Sequence, residues 1–439
     1  MKWLRILVGL LVVIASMPLS FAQDVAPLSP VTLPSTLEAA PKAIAAASPP
    51  FFGWDDGFFL RSADKQFSLR ITGQLQADYR WYVNPRDERD IDGFLIRRAR
   101  FGLEATMFKY YEFRFLPEFG SGTTRLVDGY MNVHYIDSLQ VTAGKFKQPF
   151  SYEQLIQDRN TPTMERSMID QLVPARDVGV MAHGQNLFQK RLDYGVAVSN
   201  GTRDGDADTN NSKDVNARVA VRPFATRDGS LFQRLQFGIA TGYGNQREPV
   251  NPTGLRTPDG VTFLQFNSGV LADGGRFRVS PEVAYFAGSF GMSAQYFHLS
   301  QRLRTATGVP QPISFDGFYA QSTYLLTGEE RTGYNQQVAP RRPFDPVTGS
   351  GYGAWELVSR VSRIQAGDRI FANRLADPTT VSNGATEMTL GYNWYLNKWT
   401  RIQFNWEHVW FDRKVKLGNG PDGLLKSQDT LLTRLQFVF

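Results

Sequence analysis

The chain has 439 residues, 42% of them hydrophobic, with a mean hydropathy of −0.31 and no cysteine. Without cysteine there is no disulfide framework, thiol nucleophile or thiolate metal site. The formal charge of +6 falls to +4 when Lys2 and Arg5 are removed with an N-terminal leader, and no basic helix or recognition motif accompanies it, which excludes a nucleic-acid binder.

Residues 1–22 carry a basic start, an apolar run from Ile6 to Ile14 and the small-x-small triplet Ser20-Phe21-Ala22. This is a secretory signal peptide, cleaved near Ala22. No later segment approaches the roughly 20 uninterrupted apolar residues of a membrane helix. Residues 23–60 begin with Pro, Ala and Ser and almost no charge, an extended periplasmic leader. Residues 61–439 then form one unit.

From Phe67 to Val83 the chain alternates for seventeen residues: Phe67, Leu69, Ile71, Leu75, Ala77, Tyr79, Trp81 and Val83 against Ser68, Arg70, Thr72, Gln74, Gln76, Asp78 and Arg80. A period of two puts these sets on opposite faces, and soluble strands usually span only about five or six residues. Such a strand separates lipid from water. Further alternating runs fall near 94–107, 110–119, 126–136, 138–147, 177–184, 191–199, 213–224, 234–243, 275–287, 289–301, 314–327, 353–364, 386–396, 399–412 and 429–439. The tally predicts an all-β, transmembrane antiparallel β-barrel of about 16 strands. The 32 Phe, 17 Tyr and 8 Trp supply its interfacial girdles. Short and long connections alternate as periplasmic turns and outer loops should, except that 328–352 is too long for its side and contains either an extended loop or an unrecognised hairpin. The last run stops on Phe439, which resembles the signal read by the barrel assembly machinery of Gram-negative outer membranes.

The phase of alternation places Arg70, Arg80, Arg98, Arg100, Glu104, Glu112, Arg114, Asp128, His134, Arg218, Arg222, Arg276, Arg278 and Glu282 toward the lumen. Arg97 breaks the phase: it either snorkels at the rim or marks a bulge that turns it inward. Rings of Arg or Lys favour anions. The opposing reading is that these cations pair with Glu104, Glu112, Asp128 and Glu282 and only solvate the wall. The connection 149–176 carries Glu153, Gln154, Asp158, Arg159, Glu165, Arg166, Asp170 and Arg176 among Leu155, Ile156, Met164, Met168, Ile169 and Leu172. It is too apolar for a surface loop and is expected to fold inward as the constriction.

The run 204–211 lacks the Gly and the bidentate Glu of a calcium loop, and the four histidines have no metal-ligand spacing. An outer-membrane hydrolase would need Ser, His and a carboxylate at one rim, and only His134 has a clearly inward phase. No enzyme, cofactor or metal is expected.

Together, Gln66-Phe67-Ser68-Leu69, Gly73 to Tyr79, Arg97-Arg98-Ala99, Gly144-Lys145-Phe146, Glu165-Arg166, Gly317 to Gln321, Leu326 to Glu329, Gly353 to Leu357, Leu390 to Tyr395 and Arg434 to Phe439 resemble the phosphate-selective porin O and P family. The resemblance implies a sixteen-stranded porin, usually a homotrimer, with an arginine ladder leading to a constriction that holds phosphate or related oxyanions. It matches Arg70 to a lumen lysine, Arg97 and Arg98 to an arginine pair, Asp128 to an acidic lumen residue and Arg166 to a constriction arginine. Gln74 stands where those members typically carry Arg, and Gln154 where they carry Lys. The expected function is passive diffusion of small anions across the outer membrane, with a general or organic-acid porin of the same fold as the alternative.

Overall fold

The computed structural model describes residues 51–55, 57–83, 92–417 and 423–439; the expected signal peptide and the first part of the leader lie outside the described residues. The strands are β1 (Phe51–Trp54), β2 (Phe58–Arg61), β3 (Ser68–Val83), β4 (Gly93–Met107), β5 (Tyr111–Glu118), β6 (Arg125–Ile136), β7 (Leu139–Lys147), β8 (Arg176–Asn186), β9 (Leu192–Ser199) and β10 (Asp214–Val221). There follow β11 (Gln236–Pro249), β12 (Gly254–Arg256), β13 (Thr262–Gln265), β14 (Leu271–Ala287), β15 (Phe290–Arg304), β16 (Gln311–Leu325), β17 (Ala354–Ala366), β18 (Gly384–Tyr395), β19 (Thr400–Lys416) and β20 (Leu424–Val438). Eighteen share one sheet. Two of these form the β1–β2 hairpin, and the other sixteen close on themselves where β20 pairs antiparallel with β3 from Asp429↔Val83 to Val438↔Gln74. Closure removes the free edges that hydrocarbon could not satisfy.

Burial is inverted relative to a soluble protein. On the outer face Leu75, Val180, Val196 and Ile239 are exposed, whereas Arg360, Arg401 and Arg434 are buried inside. Alternation puts the first set in lipid and the second in the lumen. Trp355 stacks on Trp394 with ring centroids 5.1 Å apart near the short-turn, periplasmic end, and Tyr79 meets Phe94 at 4.6 Å near the other, giving the two girdles.

All sixteen alternating runs are strands. Two features depart from the sequence reading, and one alternative it left open is decided. Residues 51–54 and 58–61, mostly placed in the leader, form the paired strands of the β1–β2 hairpin. The outer connection after β11 contains the β12–β13 hairpin, too short to alternate visibly. Between β16 and β17 there is no strand, so this is the extended loop; it folds into the barrel, burying Arg331, Tyr334 and Val338.

The seam depends on a glycine. Gly73 N–H donates to the Phe439 carbonyl at 2.9 Å and Phe439 N–H to the Gly73 carbonyl at 3.0 Å. A Cβ on Gly73 would lie 2.2 Å from the Phe439 ring, which is held by Trp54, Phe58 and Phe437. Gly73→Ala is therefore expected to destabilise the refolded barrel by about 1–3 kcal/mol, the cost of overpacking, in urea titrations monitored by tryptophan fluorescence.

Candidate functional site

The 148–175 connection between β7 and β8 folds inward as expected, because its apolar residues find cover only inside: Phe150, Ile156, Met164, Met168 and Ile169 are at most 1% exposed. It reaches the far wall and is tied there through its carbonyls. Arg401 donates to the carbonyls of Thr161 and Arg159, Asn393 and Gln403 to that of Pro162, and Arg434 to that of Met164. Asn405 accepts from Met164 N–H at 2.7 Å. From the periplasmic side, Asn335 of the 326–353 loop accepts from Gln157 N–H at 2.8 Å, and its carbonyl accepts from Asn160 at 2.9 Å. The far half of the lumen is thus filled. A cavity lined there by Arg159, Arg331, Arg401 and Gln436 measures about 10 Å³, room for one water.

Space remains along the wall built by β3 to β8. An inner cavity of about 450 Å³ is lined by Gln74, Arg100, Glu104, Glu112, Arg114, Asp128, Lys147, Asp158, Arg159, Arg176 and His183, among others. An outer one of about 130 Å³ is lined by Arg97, Arg98, Arg100, Arg125, Lys145, Arg166, Arg176 and Arg203 with Gln154, Asp158, Asp170 and Asp204. Arg100, Asp158 and Arg176 line both and mark the narrow point between them. The outer cavity therefore carries eight cations against three carboxylates.

Local irregularities aim these groups. The β3–β4 register shifts between Gln76↔Arg98 and Ala77↔Ile96, leaving Arg97 as the extra residue of a bulge, so Arg97 and Arg98 both turn inward. In β7, Gly144 has φ +123°, and a Cβ there would lie 2.3 Å from the Gly129 carbonyl oxygen. This is a conformation for glycine. Below it even-numbered Thr142 lines the inner cavity; above it odd-numbered Lys145 and Lys147 line the outer and inner cavities.

Asp158 is the hub. Its carboxylate pairs with Arg166 at 2.6 Å, Arg98 at 3.6 Å and Arg100. Glu165 accepts two hydrogen bonds from Arg97, at 2.7 and 2.9 Å, and one from Arg434 at 2.9 Å, with Arg80 at 3.5 Å. Arg114 bonds Glu104 at 2.6 Å and lies 3.1 Å from Asp128, which also accepts from Arg176 at 2.7 Å. Lys147 donates to the Ile156 carbonyl at 2.7 Å.

The structure gathers Arg97, Arg98, Arg100, Arg114, Asp128, Gln154, Arg159, Arg166 and Arg176 on the two cavities, although Arg176 opens β8 instead of closing the loop. Glu165 and Arg80 sit beside the outer cavity, paired to each other and to the loop anchor. Two predicted residues lie apart. Arg70 is at the periplasmic mouth, 4.0 Å from Asp55, and Glu153 turns to the far wall, accepting from Ser167 N–H at 2.9 Å with Arg360 at 3.8 Å. On the β10–β14 wall the pairing alternative is what occurs: Arg218 binds Glu282, Arg276 and Arg278 bind Asp214, and Arg222 binds Asp193. Lys145, Lys147 and His183 escaped the sequence reading because the phase changes near Gly144 and its partner Gly179. His183 bonds Thr142 at 2.9 Å, so His134 is not the only inward histidine.

A family model described as phosphate-selective porin O and P matches residues 69–439. The chain belongs to this family. It is an outer-membrane porin, a non-enzymatic channel of Gram-negative bacteria. It is 26% identical over 413 residues to Porin O of Pseudomonas aeruginosa, covering 87% of this chain and 91% of the relative. An uncharacterised Caulobacter vibrioides protein is 26% identical over 360 residues, covering 78% of this chain and 70% of that protein. Among solved structures, OmpT of Vibrio cholerae superposes with a TM-score of 0.52 at 11% identity, over 85% of this chain and 98% of that one. An anion-selective porin from Comamonas acidovorans gives 0.50 at 13% identity, over 85% and 100%. These likenesses concern the fold.

Two predictions follow from the pairing. Burial pushes the Asp158 carboxyl up, but Arg166, Arg100 and Arg98 outweigh it and hold it well below the usual carboxylate range. Burial likewise opposes Arg97, Arg434 and Arg98 at Glu165, with the same net lowering. A lowered folded-state pKa contributes stability above the unfolded value, lost as pH falls through the folded one. Loss of the Asp158 and Glu165 charges should therefore show in single-channel conductance only below the ordinary carboxylate values of about 4; a titration step above about pH 5 that disappears in Asp158→Asn would contradict these ion pairs. Asp158→Asn keeps the shape and removes one of three carboxylates from the outer cavity. It should move the zero-current potential in a KCl gradient further toward the chloride limit, and a move toward potassium would place the permeation path elsewhere.

Proposed function

We propose that the protein conducts small anions passively, with phosphate or related oxyanions as the leading solutes. The observation that carries this reading is the outer cavity's lining of eight cations and three carboxylates. Guanidinium and ammonium groups replace part of an anion's water shell and repel cations at the narrow point. Their carboxylate partners keep each site weak, so an ion that enters also leaves. The 130 Å³ volume suits a small oxyanion with a few waters, and the family description supports phosphate.

A second reading, a general or organic-acid porin, is favoured by two amides. Gln74 lines the inner cavity and Gln154 the outer, at positions where phosphate-selective members carry cations. The Gln74 Nε2 and Gln154 Oε1 atoms are buried without a hydrogen-bond partner, and neither side chain adds charge to the path. Neutral hydrogen bonds are about half as strong as charge-assisted ones, which lowers affinity while leaving anion preference to the remaining cations.

The same reading includes a cleaved signal peptide at residues 1–22, a periplasmic leader after it, recognition of terminal Phe439 by the assembly machinery, and a homotrimer. Membership of the porin family supports the export signal and the trimer, the composition of residues 23–50 supports the leader, and the aromatic at position 439 supports recognition by the assembly machinery.

Reversal potentials across planar bilayers in a KCl gradient are expected to show anion preference, and cation preference would overturn the proposal. Phosphate added to a chloride-conducting channel should reduce its current; failure to do so leaves the general porin. Arg98→Gln should lower anion preference, since Arg98 lines the outer cavity and donates to Gln76 at 2.8 Å. An unchanged potential would exclude this wall from selectivity.

A further inference from the structure

The β1–β2 hairpin carries an apolar face that neither the lumen nor the barrel wall covers. Phe52, Trp54, Phe58 and Leu60 are 66%, 46%, 44% and 45% exposed, matching lipid-facing Leu75 at 46%. β2 pairs with the first residues of β3, setting Phe58 against Ile71 and Leu60 against Leu69. β1 in turn sets Trp54 against Phe58 and Phe52 against Leu60. Directly paired residues share a face of the sheet, and Leu69 and Ile71 have the parity of Leu75, Tyr79 and Trp81. The four hairpin residues therefore continue the row that faces lipid. Phe59 and Arg61 fall on the opposite face, against Arg70 and Ser68.

We propose that this hairpin is a membrane-contacting part of the wall, whose outward face takes phospholipid at the headgroup–acyl boundary of the periplasmic leaflet. Continuity with the lipid-facing wall identifies the occupant. Trp54 lies 5.8 Å from the Phe439 ring and 6.3 Å from that of Trp399, so it extends an aromatic girdle, the arrangement favoured at that depth. The backbone argues likewise. The C-terminal strand pairs with β3 as far as the Gly73–Phe439 backbone hydrogen bonds, and β2 takes up the β3 edge from Ile71 to Ser68. It thereby satisfies groups that an apolar boundary would leave unpaired.

The absence of cysteine makes the test direct. Phe52→Cys and Leu60→Cys, each spin-labelled in the full chain and reconstituted into phosphatidylethanolamine–phosphatidylglycerol vesicles, are compared with Leu75→Cys on the wall and Val347→Cys, whose native side chain is 91% exposed in the 326–353 loop. The ratio of collision with oxygen to collision with a water-soluble nickel chelate should be several-fold higher at 52 and 60 than at 347, and should approach that at 75. A ratio equal to that at 347 would put the hairpin in water. Dipolar broadening between labels on separate protomers would mean that a second copy covers the face. Either result overturns the proposal. Selectivity of the pore does not enter the readout, so the anion reading stands or falls separately.

Discussion

A buried network of Arg434, Asp78, Glu165 and Arg97 ties together the parts on which the channel depends. Arg434 stands on the last strand of the barrel and Asp78 on the first, and their two hydrogen bonds, at 2.6 and 2.7 Å, cross the closing seam. Glu165 brings in the constriction loop, and Arg97 the bulge of β4. Arg434 and Asp78 are at most 2% exposed, so each charge needs the others. Removing one partner from a buried pair typically costs about 3–5 kcal/mol, because the remaining charge is stranded out of water. Closure of the sheet, docking of the loop and the inward turn of Arg97 are therefore one event in energetic terms.

Arginine has two roles in this lumen. Around β10 and β14 every inward arginine has a carboxylate partner, Arg276 and Arg278 sharing Asp214, and completes a packed polar wall. Along β4 to β8 the same residue type outnumbers its acids, and the unfilled cavities lie there. Three inward loops account for the difference: the 148–175 and 326–353 connections and the one between β11 and β14, whose Leu255, Phe263 and Leu264 are fully buried against Met168 and Ile169. By filling the far half from both ends they direct solute past the cation-rich wall. A wide lumen with the same charges would screen them within a Debye length of about 8 Å.

The wall was legible in the sequence because one face meets lipid and the other water, so that a period of two persists over sixteen strands. Where the backbone departs from that period, the message is lost. Arg97 announced its bulge as a break in phase, but alternation alone could not distinguish an inward turn from an outward snorkel. Gly144 and Gly179 switch the phase without any break in hydrophobic pattern, since both flanks are short and mixed, and so concealed Lys145, Lys147 and His183. The 149–176 loop betrayed its inward fold by apolar content, yet nothing in its composition distinguishes Asp158, aimed at three arginines, from Glu153, aimed at the opposite wall. Such choices depend on which residues of distant strands face the loop, Arg98 and Arg100 of β4 for Asp158 and Arg360 of β17 for Glu153.

The pairing around Asp158 also bears on how a cation-rich constriction can conduct at all. Unpaired guanidinium groups in so small a space would bind a multivalent oxyanion tightly and repel one another strongly when empty. A carboxylate shared among Arg98, Arg100 and Arg166 holds them at fixed spacing in the empty channel, so little reorganisation is required when an anion arrives. It also competes with that anion for the same N–H groups, which limits residence time. In the proposed anion channel, selectivity then comes from the excess of cations and throughput from their partial occupation. On the proposed reading, Gln74 and Gln154, at positions where the family resemblance implies cations, shift this balance further toward throughput, because they add no net charge to hold a passing anion.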